Sequence, residues 1–500
     1  MNDSTPPASE MFAAIDLGSN SFHMIVAREV EGHLQVRDRL RDMVRLAAGL
    51  DSRGNLDEAA RQRAVECLRR FGQRLSGFQP GTVRAVGTNT LRKARSPGFL
   101  QEAEEALGHP IEVIAGVEEA RLIYLGVAHG LPDSDANRLV VDIGGGSTEL
   151  ILGRRFEPLE LESLYMGCVS YSQRFFPDGA ISEKAMRDAV IAARLELQGI
   201  ENDYREIGWE QAVGASGTVR AVGEVVRAMG WADDGITLES LRKLAGELVK
   251  AGHINNLKLN GMKEERLPVF PGGVAVLLAI FEGLPIGKMQ VSDWALREGL
   301  LYDLIGRVRH EDVRERTINA LCEGYQVDRR QAGRVEQTAR TALAQVASSW
   351  DLEGEEIEHL LLWAARLHEI GLAIAHSSYH KHGAYLVENC DMPGFSSSEQ
   401  RRMAILVRGH RRKFPTALFK DLSKAQAQRL QRLCILLRLA VLLHRSHSDM
   451  TQPALQFKAS DKTLKLVFAD GWLAEHPLTE ADLAQETAYL QAAKFQLKYC

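Results

Sequence analysis

The feature that most constrains this chain is an internal repeat. Residues 13–28 (AAIDLGSNSFHMIVAR) align with residues 139–154 (LVVDIGGGSTELILGR). Asp16 meets Asp142, Gly18 meets Gly144, Ser21 meets Ser147, Ile25 meets Ile151 and Arg28 meets Arg154. Each copy reads as strand, glycine turn, strand. Repetition of such a unit predicts two related lobes, each offering one turn to a shared cleft. The competing reading is chance likeness between two hairpins; an Asp leading the turn in both copies argues against it.

Around the repeat, short β-branched runs alternate with helical spacing of apolar residues. Strands are expected at 83–87 and 111–114, and helices at 56–75 and 99–107. From about residue 306 long helical patterns take over, at 314–325, 329–350, 355–374 and 425–444. Residues 454–467 alternate like a β-hairpin, ahead of a helix at 480–493. The 500 residues exceed what one core supports. The expected division is 11–123, 124–305, 306–445 and 446–500. The opening residues, 1–10, lack the basic and apolar regions of a signal peptide and read as a disordered tail. The longest apolar run, 274–281, is too short to cross a bilayer. A cytoplasmic chain without integral membrane association is expected. Cys67, Cys168, Cys322, Cys390, Cys434 and Cys500 form no CxxC pair and no zinc spacing, which reads as free thiols.

DLGSNS (16–21) and DIGGGST (142–148) place a carboxylate at a strand end, then small residues whose amides can converge on an anion. Gly18, Ser19 and Asn20 in one turn, and Gly144, Gly145, Gly146 and Ser147 in the other, are candidate phosphate ligands. An acid beside a phosphate cradle needs a divalent cation between them. Asp16, Asp142 and Glu149 are the candidate metal ligands; for Glu149 a solvent-facing strand position competes. In GTNTLR (87–92), Thr88 and Arg92 can bind phosphate oxygens, or simply cap and decorate a helix. Glu118 and Glu119 could position an attacking water, but position alone favours two acids on the first turn of a helix. GASGT (214–218) and Gly272-Gly273 are further small-residue turns that could meet phosphate.

The net charge is −5, so a polyanion must be drawn by local features. Residues 401–413 hold six basic side chains and no acid. Arg408, Arg411, Arg412 and Lys413 therefore form either a polyanion track or a solvated face. His368, His376, His380, His382 and His410 invite a metal reading. They form no HExxH pattern, and Glu369 stands where a His–Asp phosphohydrolase has Asp, so structural histidines are the simpler reading.

Taken together, AAIDLGSNSFHM, VGTNTLR, EEARLIYLGV, VVDIGGGSTEL, MGCVSYSQRFFPDG, VGASGTVRAVG, ALREGLLYDLIG and LHEIGL resemble the exopolyphosphatase and guanosine pentaphosphate phosphohydrolase family along essentially the whole chain. The resemblance implies two actin-like lobes with RNase H-like sheets, a helical domain related to His–Asp phosphohydrolases and a small C-terminal α+β module. It assigns Glu119 as catalytic base, overturning the reading from position, and puts Asp142, Gly144 and Glu149 at the cation and phosphate site. It implies Mg²⁺, K⁺ stimulation in some members, a homodimer, and a basic channel that holds long chains.

The function expected on this basis is processive release of orthophosphate from inorganic polyphosphate. The first alternative is 5′-phosphohydrolysis of guanosine pentaphosphate (pppGpp). An ATP-binding actin-fold protein and a non-catalytic polyanion sensor are alternatives of another class. No specific nucleic-acid partner is expected, and peripheral membrane association stays open.

Overall fold

The computed structural model describes residues 11–500 apart from 31–32, 52, 80, 97, 133, 233–234, 309–312, 421 and 448–454. The polar stretch 1–10 lies outside the described residues. The chain forms two compact units, Met1–Asp312 and Val313–Cys500.

The first unit contains two mixed sheets. The strands of the first are β1 (Met11–Leu17), β2 (Phe22–Val30), β3 (His33–Asp42), β4 (Val83–Gly87) and β5 (Ile111–Val113). Their order is β3-β2-β1-β4-β5, with β1–β3 antiparallel and β4 and β5 parallel to β1. The second sheet holds β6 (Asn137–Ile143), β7 (Thr148–Arg154), β8 (Glu157–Leu164), β9 (Gln211–Ala215), β10 (Ile236–Thr237) and β11 (Lys288–Val291). Its order is β10-β11-β9-β6-β7-β8. Apart from the edge strand β10, both sheets share one plan: an antiparallel three-strand meander whose first strand pairs in parallel with the next. The repeated segments are β1–β2 and β6–β7, so the duplication read from the sequence is a duplication of lobes of the actin-like type.

Alternation along the strands explains the layering. Ala13 and Ile15 face the helices Glu58–Arg74 and Phe99–Leu107, packing with Ala64, Leu68, Phe71 and Leu107. Phe12 and Ala14 face the other way. They join Val140 on β6 and Ile151 on β7 in a second core with Leu122, Val127 and Leu300. Those last three belong to helices Gly116–His129 and Leu296–Val308, which therefore serve both sheets. The two helices meet backbone to backbone: a Cβ on Gly299 would lie 1.8 Å from the Leu122 carbonyl oxygen.

Buried charges fasten this layer. Arg121 bonds Glu118 at 2.7 Å and Asp303 at 2.5 Å, and Arg84 on β4 bonds Asp303 at 2.5 Å. Burial would raise Asp303, but Arg121, Arg84 and Arg307 outweigh it and keep the carboxylate ionised. The boundary at 123/124 falls inside helix Gly116–His129, and that at 305/306 inside helix Leu296–Val308. Both helices contribute to the shared core.

The outer side of the second sheet carries a core of Leu139, Val141 and Leu150 under helix Phe270–Gly283. The stretch Glu264–Gly283 is long and apolar enough to cross a membrane, but 72% of its apolar 18-residue window is buried within the protein. Gly272 and Gly273, expected as a phosphate turn, lie inside this helix. A Cβ on Gly272 would stand 2.5 Å from the Ser172 amide nitrogen, so small size there permits helix packing.

The second unit is helical. Helices Arg329–Val346, Glu355–Leu367, Ser397–Gly409 and Lys424–Leu443 enclose Val335, Trp350, Leu361, Leu406 and Leu436. The hairpin β12 (Gln456–Ser460) and β13 (Thr463–Val467) forms as expected, followed by helix Pro477–Ala492. A strand the sequence reading missed, β14 (Gln496–Tyr499), pairs in parallel with β13. Phe457, Leu466 and Leu497 share the core of the helices, so 455–500 is not a separate body; residues 448–454 at the expected boundary lie outside the described residues.

Candidate active site

The same alternation places the acids. Asp16 has the parity of Phe12 and Ala14, Asp142 that of Val140, and Glu149 that of Ile151. All three side chains therefore stand at strand ends on the faces that look into the shared layer. Glu149 is the direct cross-strand partner of Asp142; in the first lobe the equivalent partner of Asp16 is His23. Glu119, on the first turn of helix Gly116–His129, enters the same space.

Four carboxylates thus share one enclosure. Glu119, Asp142 and Glu149 are 8%, 7% and 1% exposed. Burial, then the charge of Glu119, pushes Asp16 and Asp142 each up to about 7. Burial, Glu119 and Asp142 raise Glu149 well above the usual range, against hydrogen bonds from Ser163 and Ser147. Glu119 is raised by burial and restrained by Arg92, whose Nη1 donates to Oε2 at 2.8 Å and to the Ile114 carbonyl at 2.9 Å. Its neighbour Glu118 is instead spent on Arg121 and Arg84, which separates two acids that sequence position could not distinguish.

The two turns come together above these acids. A Cβ on Gly145 would lie 2.8 Å from Ser19 Cβ, and one on Gly146 would lie 2.8 Å from Asn89 Oδ1. Glycine allows the lobes to approach this closely. Carbonyls of Ser19 and Asn20 accept from Ala47 and Arg45, while those of Gly144 and Gly145 accept from the helix start at Cys168 and Val169. The turns are therefore held from behind. Among the described residues, the amides of Ser19, Asn20, Gly145 and Gly146 donate to no carbonyl. Ser19 Oγ accepts from Thr90 at 2.8 Å. Thr88 caps helix Asn89–Lys93 without using its hydroxyl on the helix amides.

Sequence reading missed four arginines. Arg41, Arg220, Arg266 and Arg297 surround His23; after burial, their charges drive its imidazole far down and keep it neutral. Arg297 Nη1 lies 3.2 Å from His23 Nδ1, and Arg41 pairs with Glu265 at 3.1 Å. Arg220 was legible in principle. The strand-to-helix segment TNTLR after β4 matches SGTVR after β9, so Arg220 is the second lobe's counterpart of Arg92.

A cavity of about 490 Å³ opens beside Ser19 and Asn20. Val169, Phe176, Ile254 and Val269 give it apolar walls, and Arg45 and Glu265 add charge.

Residues 25–308 match the Ppx/GppA phosphatase family, and residues 313–487 match domain III of the same phosphatases. The chain belongs to the Ppx/GppA family. The chain is similar to a guanosine-5′-triphosphate,3′-diphosphate pyrophosphatase of Aeromonas hydrophila, 42% identical over 479 residues and 96% of each chain. The Aeromonas salmonicida protein of the same name is 41% identical over the same shares. Among solved Ppx/GppA structures, an exopolyphosphatase from Cytophaga hutchinsonii covers 59% of this chain and 98% of its own, at 25% identity and TM-score 0.54. The Aquifex aeolicus enzyme covers 59% and 99%, at 26% identity and TM-score 0.50. As a Ppx/GppA protein, this chain is a phosphoanhydride hydrolase on an actin-like fold.

The expected track residues lie in the helical unit. Arg408 ends helix Ser397–Gly409; Arg412 and Lys413 are exposed. Arg411 stacks 4.5 Å over the Tyr379 ring. Arg411 and Arg412 line a cavity of about 450 Å³ that also holds Glu369 and Glu486, so this basic segment borders a mixed-charge pocket.

Proposed function

We propose that this protein hydrolyses the terminal 5′ phosphoanhydride of guanosine pentaphosphate, releasing orthophosphate and the tetraphosphate. The observation that carries this reading over polyphosphate is the apolar-walled cavity beside the phosphate turns. Its volume suits a small-molecule site of roughly 300–1,000 Å³. A nucleoside gives Val169, Phe176 and Ile254 something to cover; a bare polyphosphate chain does not. The two Aeromonas pyrophosphatases support the same choice. Polyphosphate remains the second reading, favoured by Arg408, Arg411, Arg412 and Lys413.

The geometry supports the following catalytic roles. Amides of Ser19, Asn20, Gly145 and Gly146, with Thr88 and Arg92, hold the terminal phosphoryl oxygens. Glu119 takes the proton of the attacking water as its oxygen bonds phosphorus and the bridging P–O bond breaks. Burial raises its proton affinity above that of an ordinary carboxylate, the direction a general base needs. When phosphate takes over Arg92, Glu119 loses its counter-ion and becomes a stronger base still.

The donor set fits Mg²⁺. Asp16, Asp142 and Glu149 are hard oxygen donors that repel one another, and a cation removes that repulsion. Among the described residues no three groups form a finished metal cage. Mg²⁺ characteristically uses one or two carboxylates, with water and phosphate completing its shell. Bound there, it would neutralise phosphate oxygens.

The test is phosphate release from guanosine pentaphosphate and long polyphosphate side by side, with Mg²⁺, for the parent and Glu265→Gln. The proposal expects higher kcat/KM on the nucleotide and a KM increase on the nucleotide alone in the variant. Preference for polyphosphate would reverse it.

A further inference from the structure

The apolar-walled cavity beside the phosphate turns carries one acid that the phosphate chemistry does not use. Arg45, Asp178 and Glu265 are its charged lining residues. Glu265 is paired with Arg41 at 3.1 Å. The Asp178 carboxylate makes no ion pair or hydrogen bond among the described residues; only its main-chain carbonyl is engaged. An unpaired carboxylate next to a phosphate site repels a bare polyphosphate chain. Its placement makes sense against a ligand that brings hydrogen-bond donors to this wall.

The main chain that carries Asp178 is fixed. Its backbone is left-handed, with φ 57° and ψ 10°, between Pro177 and Gly179 at φ 82°. Asp is one of the few side chains that adopt this region readily. His253 Nδ1 accepts from the Asn255 amide at 3.1 Å, so its Nε2 holds the proton and donates to the Asp178 carbonyl at 2.8 Å. A Cβ on Gly179 would lie 2.6 Å from the Ile254 side chain, and the Ile181 amide donates to the Gly252 carbonyl at 2.9 Å. The turn is thus seated on residues 252–255 from end to end. An acid held in place before binding loses little freedom when a ligand arrives.

We infer that Asp178 selects guanine, an inference that rests on the nucleotide reading proposed above and names the base it takes. The pairing edge of guanine presents N1–H and the 2-amino group side by side. A carboxylate has two oxygens and only accepts, so it meets both donors in a bidentate, charge-assisted pair. Adenine sets a bare N1 acceptor beside its single amino group, and that lone pair would face a carboxylate oxygen. Val169, Phe176 and Ile254 supply apolar surface for the ring faces. Asp178 is therefore a specificity-determining residue, apart from the acids that surround the phosphoryl group.

The experiment measures phosphate release by the full chain with Mg²⁺ on guanosine pentaphosphate and on its inosine and xanthosine counterparts. Inosine lacks the 2-amino group, and its KM for the parent should be about 10–100-fold higher. Xanthine carries a carbonyl at that position, which repels a carboxylate but accepts from an amide. Asp178→Asn should therefore raise the ratio of kcat/KM for xanthosine over guanosine by about 10²-fold. Asn adopts left-handed backbone as Asp does, so the turn keeps its shape. A variant that merely loosened the turn would lower all three substrates together and leave the ratio flat. An unchanged ratio in Asp178→Asn, or a parent that treats guanosine and inosine alike, would overturn the inference while the nucleotide reading stands. A parent that releases phosphate from polyphosphate and from none of the nucleotides would overturn both.

Discussion

Replacing Asp142 with Asn should stabilise the metal-free protein at alkaline pH. Burial and the neighbouring charges of Glu119 and Asp16 push Asp142 from 3.8 up to about 7. At 1.36 kcal/mol for each unit of pKa, this is about 4 kcal/mol. The sign follows from linkage: a folded-state pKa above the unfolded value means that the fold holds the proton more tightly. The contribution is complete below about pH 4 and is lost as pH rises through about 7. Metal-free protein should therefore be weaker at pH 8 than at pH 5. Asn copies the shape of the neutral acid, so Asp142→Asn should gain up to about 4 kcal/mol over the parent at pH 8 and little at pH 4. Mg²⁺ should raise the parent's stability at pH 8 more than the variant's. Because the chain holds two units, a global melt mixes transitions. Hydrogen exchange of β6 amides, corrected for intrinsic rates and measured in chelator, reads the relevant unit alone. A variant no more stable than the parent at pH 8 would refute the picture of an uncompensated acid cluster.

Gly145→Ala should push the turns apart at Ser19, lowering kcat/KM for both substrates while the helical unit keeps its melting transition in calorimetry. Arg92→Ala removes a phosphate donor and the partner of Glu119, and turnover should fall about 10²–10³-fold in a phosphate-release assay. Changing Arg408, Arg411 and Arg412 together to Gln should shorten processive runs on long polyphosphate and spare guanosine pentaphosphate; gel analysis of chain lengths reads this, and equal loss on both substrates would remove the track.

Much of the first unit was legible because its two hairpins repeat both their pattern of apolar residues and their leading Asp. The edge strand β3 escaped because HLQVRDRLRD carries charge on an exposed side, as edge strands do. The domain boundaries left a weaker signal for a different reason. Helices Gly116–His129 and Leu296–Val308 belong to both sheets, and a shared core leaves no mark at one point in the sequence. Asp16, Asp142 and Glu149 were readable from spacing, whereas Glu119 needed the family resemblance, because Glu118 beside it looks identical until Arg121 and Arg84 claim it. Arg41, Arg266 and Arg297 come from distant segments, and only folding brings them around His23.

Glu119→Gln offers the most direct trial of the account. The substitution keeps the side chain's shape and its place beside Arg92 but abolishes the base. Phosphate release from guanosine pentaphosphate with Mg²⁺, together with nucleotide binding by calorimetry, should show turnover reduced about 10²–10⁴-fold with affinity retained. Near-parental release would contradict the assignment of this cleft as the place where water meets the terminal phosphorus.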